Sequence, residues 1–406
     1  MTLHILEKLA QTNPDCEIWW DSSPLVYDQC ATGVMSKAPA AKKAAWEEQL
    51  KRLYDPEAIR EKGVMGFRGV TTNPPLSLQA ILADSDFWVG KLRSKIGENP
   101  HEDVEQIYWK TYLDTVRRGA ELIRPVFDKS GGKYGYLSGQ VDPRFVTDLE
   151  HMRADATDLK EIGPNVMVKV PGSKEGYQLI EELTAEGVST NNTTAFTVPQ
   201  YIARMDAVYR GLETARQNNV DPSKWRSVIP HKLALLGNVG DLQWQADERD
   251  IELTADEITL GELAVMKRAY NHIQETNHPS KMLMCSMRVV QDEVADTASS
   301  WHIQKLAGGD FVYTCPPSYI AALMQHEDKL GPFDAHAVDE DISPESLRKL
   351  LMLPYFQKAY ELDGMKSEEF SQFGAFIATA SKFAVATIKT IDFVARVYAD
   401  TKQQAA

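Results

Sequence analysis

The chain has 406 residues, 43% of them hydrophobic and 25% charged, and 44 Lys and Arg against 58 Asp and Glu give a formal net charge of −14. That balance suits a globular protein with a sizeable core, and such acidity disfavours phosphate backbones and anionic lipid surfaces, so neither nucleic acid nor membrane is expected as a partner. The four cysteines (Cys16, Cys30, Cys285, Cys315) form no Cys-x-x-Cys pair; with no signal-like start and no run of about 18 apolar residues, a reduced cytoplasmic setting is expected.

Strand-like runs recur along the chain with longer helical patterns between them. In order they are Glu17–Asp21, Gly66–Thr72, Gly135–Val141, Val166–Val170, Val188–Thr193, Ser227–His231, Met282–Ser286 and Phe311–Thr314. Between the fourth and fifth, Lys174–Glu186 puts Tyr177, Ile180 and Leu183 on one helical face, and Gly187 follows as a helix stop. Eight such alternations predict an α/β fold, a (β/α)8 TIM barrel, which typically needs about 250 residues. The surplus is assigned to helical insertions near Met35–Leu53 and Glu102–Ile123 and to a C-terminal helical extension, dividing the chain into a barrel at 1–340 and an extension at 341–406. Within the extension, Ser343-Pro344-Glu345 and Ser367-Glu368-Glu369 each open a helix. The second carries Phe370, Phe373, Ile377, Ala380, Phe383, Ile388, Ile391 and Val394 at helical spacing, and is expected to dock across the barrel.

Candidate chemistry concentrates at the predicted C-terminal ends of the strands, where barrels of this kind build active sites. Alternation in VMVKV turns Val166, Val168 and Val170 towards the helices and Met167 and Lys169 inward. A lysine inside a barrel is either a deprotonated amine, able to form a Schiff base, or a strand-end lysine that snorkels or pairs with a carboxylate. The same alternation test turns Asp21, Gln140, Asn191 and Thr193 inward, and Asn73 follows the second strand. One inward polar residue is ordinary; five near the same end of a barrel point to a polar site. KSGGKYG lacks the glycine spacing of a phosphate loop, no G-x-G-x-x-G follows a strand, and no His, Cys and Asp cluster has metal-ligand spacing. Neither a metal nor an organic cofactor is expected.

Several of these segments together resemble the transaldolases, (β/α)8 enzymes that act through a lysine Schiff base. GVTTNPPLSLQAI resembles the family's second-strand motif, VMVKVPGSKEG its lysine strand and EGVSTNNTTAFTVPQY its fifth-strand stretch; EIWWD and GYLSGQVDPR match the first and third strands. The resemblance runs from Glu17 to about Leu323. It implies Lys169 as the Schiff-base lysine, Asp21 as the carboxylate that handles protons, and Thr193 as a residue positioning the catalytic water. It implies Asn73 and Asn191 as partners of the donor hydroxyls and, from MLMCSMR, Ser286 as a substrate-binding residue of the site and Arg288 as the one facing the sugar phosphate. Two departures stand out. Gln140 occupies the third-strand position where the family usually has a water-activating Glu, and a glutamine can hold a water but cannot take its proton. The sixth strand reads VIPHKLALL in place of a Ser and Arg pair, leaving Lys232 as the nearest substitute cation.

The resemblance implies transfer of a dihydroxyacetone unit from a ketose to an aldose, with sugars or sugar phosphates as the small-molecule partners and a homodimer left open. Two rivals follow from the departures: an aldolase that uses free dihydroxyacetone, and a catalytically silent sugar-phosphate-binding barrel.

Overall fold

The computed structural model describes residues 2–221, 225–232, 241–292 and 295–405, with the backbone alone at 230–232 and 405. All eight expected strands form. They are β1 (Glu17–Trp20), β2 (Gly69–Thr71), β3 (Tyr136–Gln140), β4 (Val166–Pro171), β5 (Thr190–Thr193), β6 (Ser227–Lys232), β7 (Lys281–Cys285) and, after a hairpin of β8 (Val290–Asp292) and β9 (Thr297–Ser299), β10 (Phe311–Cys315). The eight barrel strands pair in parallel and close in the order β1-β10-β7-β6-β5-β4-β3-β2. The chain is therefore a (β/α)8 barrel. Pairing of β5 with β6 ends at Asn191↔Val228, just before Pro230, which has no N–H to offer the ladder.

Two apolar layers follow from the alternation along each strand. Val166, Val168 and Val170 join the outer core between strands and helices. Trp19, Tyr136, Met167, Val228, Leu283 and Val312 meet inside the barrel. The Trp19 indole takes much of that interior, and Gly69 on the adjacent strand makes room for it: a Cβ there would stand 2.5 Å from the Trp19 ring. Below it, Trp19 Nε1 donates to Glu17 Oε2 (2.9 Å), which holds the indole plane.

The helices start where their capping residues stand. Asn73 caps Pro74–Ala83, Asp103 opens the 26-residue Val104–Lys129 with a capping box, and Ser173 caps Lys174–Ala185, after which Gly187 takes a φ of 76°. At the C-terminal end the structure differs in detail from the sequence expectation. Ser367–Gln372 is a 3-10 turn, and the continuous helix runs Gly374–Ala405. It packs against the helices Pro74–Ala83, Ser85–Glu98 and Val104–Lys129. Its buried face carries Phe376, Thr379, Ala380, Phe383, Thr387, Thr390 and Val394, whereas Ile377 and Ile388 are about half exposed. The expected stripe ran along the most apolar residues; the packed face also includes three threonines, Thr379, Thr387 and Thr390.

Candidate active site

Six of the nine sequence-derived site residues line one cavity of about 240 Å³ at the C-terminal ends of the strands: Lys169, Asp21, Asn73, Asn191, Thr193 and Ser286. Its walls also include Phe196, Leu283, Cys285 and Pro316. Three residues of the C-terminal helix, Thr379, Lys382 and Phe383, line it as well.

Lys169 stands on β4 in register with Gln140 on β3 and Asn191 on β5. Its side chain is 6% exposed, and Nζ donates to the Thr72 carbonyl (2.9 Å). Burying an ammonium costs several kcal/mol unless other groups compensate it, so the fold has paid to hold an amine at this point. Asp21 follows β1, with its N–H donating to the Cys315 carbonyl (3.1 Å). Thr71 Oγ1 donates to Asp21 Oδ1 at 2.7 Å and lies 2.6 Å from Thr314 Oγ1. A hydroxyl has one proton; with that of Thr71 given to Asp21, Thr314 is the donor to Thr71. Two hydroxyls in line thus orient one carboxylate oxygen.

Asn191 donates from Nδ2 to Ser138 Oγ (2.8 Å), while its Oδ1 is buried without a hydrogen-bond partner. A fully buried acceptor left unmatched costs on the order of 1–3 kcal/mol, and a substrate hydroxyl in the adjacent cavity would satisfy it. Asn73 Oδ1 accepts from Leu76 N (3.0 Å) as a helix cap, which leaves its NH2 to donate. Two strand exits adopt left-handed backbone without glycine: Thr194 (φ 54°) after β5 and Ser286 (φ 60°) after β7, both at the cavity. Such conformations cost of order 1 kcal/mol or more and cluster at functional sites.

Of the remaining three residues, two are not among those lining the cavity and one has no described side chain. Gln140 is 3% exposed and its Oε1 has no partner, but it does not line the cavity; its backbone N–H and C=O both bond the Tyr112 hydroxyl (2.7 and 2.9 Å). Arg288 is exposed, past the end of β7, and does not line the cavity. The Lys232 side chain lies outside the described residues, as does the LALL segment that follows. The sequence reading overlooked Thr71, Thr314, Thr379 and Lys382. Alternation places Thr71 on the inward face with Gly69, and Thr314 with Val312, so the signal for those two was present; for the C-terminal helix there was none.

Among the described residues, no three His, Cys, Asp or Glu side chains gather as a metal site, and no helix is long and apolar enough to cross a membrane. The chain thus presents a closed parallel barrel with a buried lysine, a carboxylate and amide groups around one cavity at the strand ends. A family model described as Transaldolase/Fructose-6-phosphate aldolase matches residues 54–371, and the chain belongs to that family. It is similar to a transaldolase of Thermobifida fusca, 31% identical over 286 residues, covering 66% of this chain and 74% of that protein. It is also similar to transaldolase 1 of Streptomyces avermitilis (29%, covering 68% and 74%) and a transaldolase of Thiobacillus denitrificans (28%, covering 73% and 84%).

Proposed function

We propose that the protein transfers a dihydroxyacetone unit from a ketose phosphate to an aldose phosphate through a Schiff base on Lys169. The observation that carries this reading is the buried Lys169 amine at a cavity shared with the Thr71-held Asp21 carboxylate. Uncharged Lys169 attacks the ketose carbonyl, and loss of water leaves an iminium. Asp21 takes the proton of the hydroxyl on the far carbon of the breaking C–C bond, that carbon becomes the aldehyde as the bond's electrons pass into the iminium, and the aldehyde product leaves. The enamine then attacks the aldehyde of the acceptor, and Asp21 returns the proton to the new alkoxide. Asn73 and Asn191 hold the hydroxyls of the three-carbon unit, Thr193 positions the water that hydrolyses the imine, and Ser286 lies at the cavity wall beyond them. Gln140 orients a water and takes no proton, which favours as a second reading an aldolase that releases free dihydroxyacetone.

Borohydride reduction in the presence of a ketose phosphate tests the proposal. A three-carbon adduct on Lys169, located by peptide mass, is expected. An unmodified chain, or an adduct on Lys174, overturns it. Supplying an aldose acceptor and weighing the products separates transfer from release.

A further inference from the structure

Resting on the sugar-phosphate reading above, we infer that the substrate's phosphate is held by Thr379 and Lys382 of the C-terminal helix, a subsite outside the barrel strands. Both residues line the cavity, and at a spacing of three they share one face of the helix. The Thr379 side chain is 3% exposed, and its hydroxyl has no hydrogen-bond partner. A buried donor without a partner at the wall of a cavity is a group waiting for an acceptor. Lys382 is exposed at the same wall and makes no ion pair or hydrogen bond among the described residues. Among the described residues, the other charged side chains lining the cavity are Asp21 and Lys169, which in the reading above are committed to the reacting carbons. Among the described residues, a dianion therefore finds a cation on the helix, one turn from an unmatched hydroxyl, and charge-assisted bonds to phosphate are the strong kind.

The helix is anchored well enough to serve as a binding wall. Ala375 N donates to the Tyr355 hydroxyl (3.0 Å), and at the far end Tyr398 Oη donates to the Glu102 carbonyl (2.9 Å) and Lys402 Nζ to the Pro100 carbonyl (2.8 Å). Arg288 is exposed and is not among the residues lining the cavity, which agrees with this assignment.

Glucitol 6-phosphate has no carbonyl, so its binding is independent of imine chemistry. Calorimetric titration of the full chain should give an affinity that Lys382→Ala weakens about tenfold and that Thr379→Val weakens several-fold, with Lys382→Arg restoring most of the first loss. For turnover, the Lys382→Ala loss should fall on KM for a phosphorylated ketose and be absent for the same ketose without phosphate. If the loss follows the acceptor's phosphate instead of the donor's, the subsite stands and belongs to the acceptor. Unchanged affinity in both variants, or no binding to the parent, overturns the inference. Borohydride trapping on Lys169 is scored separately: failed trapping with intact Lys382-dependent binding removes the catalytic reading and leaves the subsite.

Discussion

Asp21 shows how much of the site depends on single atoms. Its Oδ1 accepts from Thr71, which accepts in turn from Thr314, so three strands, β1, β2 and β10, converge on one carboxylate. General acid–base help from a placed carboxylate is worth about 10²–10⁴ in rate. Asp21→Asn is therefore expected to lower kcat within that range while leaving KM near the parent's. Thr71→Val should lower kcat by about tenfold, and Thr71→Ser should restore it, because the hydroxyl and not the methyl does the orienting. If Thr71→Val turns over as the parent does, Asp21 is held by other contacts and the hydroxyl pair is packing. Asn191 was legible as an inward amide from strand alternation; that its Oδ1 would be left without a partner was not, because its amide turns towards Ser138 on β3, two strands away.

At the scale of the element, the segment after β3 carries a pH-sensitive joint. Asp142 caps the turn Pro143–Phe145 and pairs with Arg144, which reaches on to Glu105 (2.8 Å). The Asp142 N–H donates to Asp155 Oδ2 (2.9 Å) on the helix Leu149–Glu161. Burial, and then the charge of Asp142, outweigh that bond and push the Asp155 carboxyl up to about 7. The folded chain thus keeps a proton that the unfolded chain loses near the ordinary value of 3.8, and stability falls as pH rises from there to about 7. Asp155→Asn retains an acceptor for the Asp142 N–H and cannot ionise. It should be more stable than the parent at pH 8, by on the order of a few kcal/mol, with the advantage vanishing near pH 4. Thermal melts at the two pH values decide it: a constant difference would mean that Asp155 does not titrate between them.

Across the whole molecule, the two ends of the barrel do different work. At the N-terminal end Glu17 is 3% exposed and pairs with Arg226 (2.6 Å) and Lys281 (3.1 Å), while Lys281 also pairs with Asp310 (2.6 Å). Burial alone would raise the Glu17 carboxyl; the two cations outweigh it and hold it below its ordinary value. Its contribution to stability is present above that ordinary value and is lost as pH falls through the lower folded one. Arg226→Met should cost about 2 kcal/mol, less than the ~3–5 of a wholly unpaired buried charge because Lys281 remains. The catalytic constants of the folded fraction should not change, since the chemistry lies at the opposite end. A large fall in kcat with unchanged stability would contradict that separation.

The residues alone were enough to find eight strands, the inward turn of Lys169 and the polar set around it, because strand alternation has a period of two and is written locally. The short hairpin of β8 and β9 escaped notice, being three residues a side and almost wholly exposed. Tertiary structure alone decided which face of the C-terminal helix packs, leaving Ile377 and Ile388 half exposed and bringing Thr379 and Lys382 to the cavity. It decided too that the Arg288 side chain is exposed and that Glu17 finds Arg226 across the barrel floor. Periodicity says which residues share a face. What that face meets depends on chain segments hundreds of residues apart, and on the competition among all of them for the same buried surface.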